Sequence, residues 1–302
     1  MKNVKSVKVN FLQINHEVKK VMKSKGVEVL SIVDAWEKYG WIKKLIRKKP
    51  EEGYFIWVKK QVNFPISTGV YISEKGITQR LVNLTVIESG IKAKGFSLCS
   101  SIIDSNSTHI AKGIVVIKKN SSFELTSIHS WHSSDRVETE YKYVLEKGSR
   151  LSYLFKNMNP PQKAKYITRL VNKENSISKV RSVVNGIKTR VYLEDEVNIK
   201  GKNASSTIEI RVVGRKDSKI EGVTKAVAEA AGKAHLDCEG LLVDRKSEIK
   251  LVPMLEVKNK DAILTHEASI GKIADEQLYY LRSRGLSEKQ AIDLIVSGFL
   301  RS

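Results

Sequence analysis

From about residue 54 onward, apolar and polar positions alternate with a period of two. Ile208, Ile210 and Val212 alternate with Glu209 and Arg211, and Tyr143 shares a face with Leu145. Leu151, Tyr153 and Phe155 lie on one face, as do Ile249, Leu251, Pro253, Leu255 and Val257. Successive side chains of a strand point to opposite faces, so each run predicts a half-buried strand. Polar turns separate the runs, among them Ser73-Glu74-Lys75-Gly76, Lys118-Lys119-Asn120-Ser121, Glu146-Lys147-Gly148-Ser149 and Lys173-Glu174-Asn175-Ser176. Charged turn residues fall at Glu74, Glu88, Lys118, Glu146, Glu174, Lys202, Asp217, Lys246 and Lys260, with spacings of 14, 30, 28, 28, 28, 15, 29 and 14. A spacing near 14 and its double predicts a solenoid, in which no coil buries its face alone and stacked coils share one core. Regular turns also suit a sandwich; the near-constant 28 favours a parallel β-helix.

The ends read differently. Gly26 to Leu30 is strand-like; Asp34 is the expected cap of a helix carrying Trp36, Tyr39, Ile42, Leu45 and Ile46, ended by Pro50. Lys43, Lys44, Arg47, Lys48 and Lys49 then complement the C-terminal end of its dipole. At the other end, Asp275 to Arg282 predicts a helix with Leu278 and Leu281 on one face, followed by Gly285 as a left-handed stop. Ser287 with Gln290 forms a capping-box pattern before a second stripe of Ala291, Leu294, Ile295 and Phe299. These amphipathic ends are expected to cap the open edges of the solenoid. Tyr279, Tyr280 and Phe299 so close to a chain end suit either packing on the core or docking of a partner. The division expected is an α/β segment over 1–53, a β-helix core over 54–268 and a helical region over 269–302.

Composition narrows the class. A hydrophobic content of 41% supports a packed core, and a net charge of +20 favours acidic partners or a lysine-rich surface. The lysines are spread along the chain, which favours the second reading. Two cysteines, Cys99 and Cys238, are too few for a disulfide framework and suit a reducing cytoplasm. No apolar run approaches the ~20 residues of a membrane span, and residues 1–5 lack the apolar block of a leader.

Candidate chemistry gathers late in the chain. In His235-Leu236-Asp237-Cys238-Glu239-Gly240, a strand turns His235 and Asp237 one way and Leu236, Cys238 and Gly240 the other. Coils can bring Cys238, Glu256, His266 and Glu267 to one edge, where a thiolate, an imidazole and carboxylates suit iron or zinc. Cysteine is also a small buried hydrophobe, and an edge glutamate is ordinarily solvated. His129 and His132 around Trp131 read as a packed turn cluster. There is no Cys-x-x-Cys, no phosphate-binding glycine loop, no His-Glu-x-x-His and no Gly-x-Ser-x-Gly. ATP, if used, binds to another subunit.

Three stretches resemble the SufB/SufD family of iron–sulfur cluster assembly scaffolds. They are His266-Glu267-Ala268 with Asp275 to Tyr280 and Arg282-Ser283-Arg284-Gly285; Ile128-His129-Ser130-Trp131, preceded by Cys99 and His109 and followed by Val144 to Ser149; and Gln79-Arg80-Leu81-Val82-Asn83. They cover about residues 60 to 300. The His-Glu-Ala form is similar to SufB, since SufD-like members more often have glycine at the Glu267 position. The resemblance implies a right-handed parallel β-helix and a helical region that docks a SufC-like ABC-type ATPase. It implies a homodimer or SufB/SufD-type heterodimer holding a transient cluster built from iron and the sulfur of a donor. Within it, His266 and Glu267 match the motif at the dimer interface, and Cys238 and Glu256 fall in its Cys…Pro-x-x-Glu neighbourhood, with Pro253. A functional cysteine of the bacterial pattern falls here on Ser247. The ligand set expected is therefore Cys238, Glu256, His266 and Glu267, and the docking set Leu278, Tyr279, Tyr280, Arg282, Arg284 and Phe299. Two rivals are a β-helix carbohydrate-active enzyme, needing paired carboxylates in a cleft, and a nucleic-acid binder, needing cations gathered on one face beside stacking aromatics.

Overall fold

The computed structural model describes residues 9–22 and 24–301, so residues 1–5, on which the leader argument rests, lie outside the described residues. Three strands, β1 (Phe11–Ile14), β2 (Glu17–Val21) and β3 (Val27–Ser31), lead to two short helices, α1 (Ile32–Lys38) and α2 (Ile42–Leu45). Then come β4 (Tyr54–Val58), β5 (Ile66–Ile72), β6 (Thr78–Ile87), β7 (Lys92–Ser101), β8 (Thr108–Ile117), β9 (Ser122–Ser130), β10 (Arg136–Leu145) and β11 (Arg150–Asn159). The series continues with β12 (Lys163–Asn172), β13 (Ile177–Ile187), β14 (Arg190–Ile199), β15 (Ser205–Arg215), β16 (Lys219–Ala228), β17 (Lys233–Leu242), β18 (Glu248–Val257) and β19 (Ile263–Lys272). Helices α3 (Asp275–Ser283) and α4 (Glu288–Phe299) follow.

From β4 on, consecutive strands go to alternate sheets. One sheet runs β19-β17-β15-β13-β11-β9-β7-β5-β1-β2, the other β18-β16-β14-β12-β10-β8-β6-β4-β3. Each coil is thus two strands facing each other across a narrow interior, giving a β-solenoid of about eight turns. The repeat is direct: Arg136 pairs with Lys163, 27 residues on, and Lys233 pairs with Ile263, 30 residues on. The turn residues permit this. Gly76, Gly90, Asn120, Gly148, Asn175, Asn203 and Asp217 all take positive φ, a region open to glycine and tolerated by asparagine and aspartate. Inward residues of both sheets merge into one continuous core that includes Tyr143, Leu145, Leu170, Ile208 and Leu236.

The ends correct several expectations. The N-terminal end is closed by strands rather than by a helix: β1 pairs antiparallel with β2, and β3 with β4. The expected single helix is two, broken around Gly40, and its cap is Ser31, whose hydroxyl accepts from the backbone N–H of Asp34 at 3.1 Å. Asp34 instead lies in the first turn, where its charge suits the dipole. Both helices lie on the outer face of β4, β6 and β8, over Phe55, Leu84 and Val86. Helices α3 and α4 likewise cover the side of the other sheet, over Val183, Val213 and Leu241, with Arg215 paired to Asp293 at 2.8 Å. The C-terminal edge of the solenoid is therefore left uncapped among the described residues. The Ser287–Gln290 capping box and the left-handed Gly285 (φ 90°) form as expected. No helix is long and apolar enough to cross a membrane among the described residues.

Candidate functional site at the open end

The last coil, β18 and β19, ends both sheets. Leu255, Val257, Ile263 and Ile270 are exposed there, and Leu255 and Val257, paired with the buried Ala226 and Ala228, continue the inward face that other coils bury. The opposite edge is β2, whose Lys19 and Lys20 blunt it against pairing. Strand β19 carries one lysine, at its last position, Lys272, and so keeps a template for another strand.

Pleat and register place each candidate. Cys238 points into the interior and is fully buried, with its sulfur 3.2 Å from the Thr224 hydroxyl. Burial raises its pKa, the contact with the Thr224 hydroxyl lowers it part of the way back, and the carboxylates of Asp237 and Asp195 add smaller increases, so the net shift is upward. A thiol so held stays protonated at neutral pH. Cys238 pairs with Ala268, and Leu236 with His266, so His266 follows the inward parity of β19, diagonal to Cys238 and exposed by the missing next coil. Glu267 lies on the outer face, with its carboxylate 3.2 Å from His235 Nε2, while His235 Nδ1 lies 2.8 Å from the Thr265 hydroxyl. Glu256 stands on the outer face of the other sheet, beside Lys258 at 3.2 Å and Lys225 at 4.0 Å. The expected convergence of four ligands therefore does not occur within one chain. Neighbouring residues of a strand face opposite ways, so His266 and Glu267 cannot share a face. No group of three or more His, Cys, Asp or Glu suited to a metal exists among the described residues. Cys238 and His266 belong to one interior face, and His235 and Glu267 to one outer edge. His235 was read from sequence only for its facing.

The interior holds a second set of polar groups. Cys99 lies directly beside His129 in the β7–β9 ladder, and both are buried. His109 Nδ1 lies 2.9 Å from Gln79 Oε1, its ring packs 4.9 Å from Trp131, and its Nε2 has no partner. Burial pushes the Cys99 thiol up to about 12 and both imidazoles down to about 3. Asp195 is fully buried with both carboxylate oxygens unpartnered, near the hydroxyls of Ser182 and Thr168, and burial pushes it up to about 6. Its signal in the sequence was a charge in phase with Leu193 and Val197 on an inward parity. Near the surface, Ser101, His132 and Asp135 adjoin: the serine hydroxyl lies 3.0 Å from His132 Nδ1, but it donates to Asp135 at 2.5 Å and accepts the backbone N–H of His132 at 3.1 Å. That is a staple of the turn rather than an activated nucleophile, as expected for His132, whereas His129, expected in the same turn, is buried within β9.

A pH dependence follows. A buried imidazole whose folded pKa is far below 6.5 binds fewer protons folded than unfolded. Its stabilisation is complete above that value and is lost as pH falls towards 3, by up to about 1.4 kcal/mol per unit for each histidine. Asp195 acts oppositely between its unfolded value and about 6, offsetting one histidine. Denaturant unfolding is expected to show stability falling by about 1 kcal/mol per unit from pH 6 to 4, and His109→Gln should flatten that slope.

In the helical region, Leu278 and Phe299 pack towards the sheet with Val296 and Leu300. Tyr279 and Tyr280 are 67% and 60% exposed, Arg284 lies 5.3 Å from the Tyr280 ring centroid, and Leu294 is exposed on the same pair of helices. Arg282 approaches Glu288 at 3.9 Å. The docking set thus divides into a structural half and an outward aromatic half.

Residues 70–299 match the family described as SUF system FeS cluster assembly, SufBD core domain. The chain is similar to an iron-sulfur cluster assembly SufBD family protein of Archaeoglobus fulgidus, 32% identical over 91% of this chain and 79% of that one. A protein of the same description from Methanothermobacter thermautotrophicus (strain Delta H) is 28% identical over 92% and 74%. The iron-sulfur cluster assembly protein SufB of Bacillus subtilis is 26% identical, with 82% of this chain matching 55% of that longer one.

Proposed function

Because the chain belongs to the SufBD family of iron–sulfur cluster assembly proteins, we propose that it is the scaffold on which a transient cluster is built, where its open end meets a second scaffold chain. The observation that carries this reading is the uncapped last coil, an unpaired edge of apolar residues bordered by His235, His266, Glu256 and Glu267. A second chain, identical or a SufD-type sister, would bury those apolar residues and bring a second set of donors to the seam. One chain offers too few ligands in one place, so the site is shared. Iron and the sulfur of a donor are the cargo. Oxygen and imidazole donors hold iron less firmly than thiolate does, which suits release.

Cys238 is the thiol of this site, one coil beneath the seam. Its proton must leave and the last coil must shift before it reaches iron. Such a shift needs a partner that binds the open and closed states unequally. A SufC-like ABC-type ATPase on α3 and α4 would supply it, because those helices rest on Val213 of β15 and Leu241 of β17, the strand that carries Cys238. The chain itself would not be an enzyme, and hydrolysis of ATP would belong to the partner. The setting is the cytoplasm.

Anaerobic reconstitution with the ATPase, iron and sulfide, followed by absorbance and Mössbauer spectra, tests the assignment. Cys238→Ala and His266→Ala are each expected to cut cluster yield about tenfold or more. Unaltered yield in Cys238→Ala removes the thiol from the site. A native mass showing one scaffold chain per cluster removes the shared seam.

A further inference from the structure

The lysines and arginines are dispersed in sequence, but the coil repeat gathers some of them. Arg136 pairs with Lys163, Lys163 with Arg190 and Arg190 with Lys219, each on the next strand of one sheet. These residues begin β10, β12, β14 and β16, so they form a straight row along the solenoid at about 4.8 Å per step. The adjoining outward row contains Ile110, Glu138, Lys165, Tyr192, Glu221 and Lys250, and the two rows line a groove of ≈ 950 Å³. Like charges directly opposite one another on paired strands repel. Several other cations on this sheet are neutralised: Arg169 is held by Glu140, Glu194 and Glu196, and at the far end of the row Lys219 meets Glu248 and Lys250 meets Glu221, both at 2.8 Å. Arg136, Lys163 and Arg190 are exposed and have no ion pair or side-chain hydrogen bond among the described residues.

We propose that this row binds a short oligophosphate, the di- or triphosphate group of a nucleotide, with Arg136, Lys163 and Arg190 on successive phosphates. Guanidinium forks match phosphate oxygens bidentately, and lysine adds a point charge. Tyr192 stands beside the row with its hydroxyl donating to Glu194 at 2.6 Å and Lys165 5.9 Å from its ring centroid, which fixes a ring face for the attached base. A short ligand fits better than a nucleic-acid strand. Glu138, Glu221 and Glu248 flank the three unneutralised cations, and a phosphodiester running the full groove would meet those carboxylates. This inference is independent of cluster assembly, and it departs from the expectation that ATP binds only another subunit, which rested on the lack of a glycine loop that this row does not use.

Calorimetric titration of the full chain with tripolyphosphate, ATP and a short oligothymidylate decides it. Saturable binding of tripolyphosphate at one site is expected, with ATP tighter. Arg136→Gln and Arg190→Gln should each weaken both about tenfold, the effect of one charge-assisted hydrogen bond, while Lys202→Gln, on a distant turn, changes nothing. Tyr192→Ala should weaken ATP towards tripolyphosphate; unchanged preference for ATP removes the base contact. Absence of saturable tripolyphosphate binding, or equal loss in Lys202→Gln, overturns the site. Tighter binding of the oligothymidylate, with a salt dependence that grows with its length, replaces it with a nucleic-acid surface.

Discussion

With Tyr279 and Tyr280 both replaced by alanine, capture of the ATPase is expected to fall about 1000-fold while the solenoid unfolds at its usual temperature. Two exposed aromatic rings on one helix are anchors of the kind that dominate interfaces, each worth about 2 kcal/mol or more when truncated, and about 4 kcal/mol is close to three powers of ten. At 67% and 60% exposure they contribute little to the fold. Removing the whole tail is a poorer experiment, because it would also strip the cover from Val183, Val213 and Leu241. Co-purification and titration of the double variant with the ATPase measure the effect. Undiminished affinity would show that the helices dock nothing through this face.

If two chains meet at the seam proposed above, placing lysine at both Val257 and Ile263 is expected to leave a monomer of 34.0 kDa. Both side chains are 54% exposed on the final coil, so the substitutions cost the isolated chain little. Across a seam each would place a desolvated, unpaired ammonium against its counterpart, and natural edge strands use lysine to refuse pairing in this way. The loss expected is again about three powers of ten in dimer affinity. Light scattering over a concentration series measures it, and a dimer that persists in the double variant would move the interface elsewhere.

The coil was legible because its turns are obligatory. Every 28 or so residues the chain must reverse, and Gly90, Asn120, Gly148, Asn175 and Asn203 supply the left-handed backbone that allows it. The apolar face of the alternating strands was equally legible, as Ile208, Ile210 and Val212 and then Leu151, Tyr153 and Phe155 illustrate, all of them buried. The end of the stack was not. Val257 stands between polar neighbours just as Ile208 and Ile210 do, and parity says nothing about whether a next coil exists. Nor did amphipathic helices reveal whether they would lie over an end or along a side, because an apolar stripe fits either. Sequence proximity of His266 and Glu267 suggested a joint site, yet the period of two already required them to face apart. The row of Arg136, Lys163 and Arg190 escaped notice because it exists only once the repeat is folded.

The antiparallel lid of β1 to β3 at one end, with no strand or helix among the described residues over the other, gives the molecule a direction in time as well as in space. On the ribosome the lid emerges before the coils, and each later turn finds a finished template waiting beneath it. A nascent chain therefore presents a single adhesive rim that moves forward with synthesis, and helices α3 and α4, which follow β19, fold back along the side and leave that rim open.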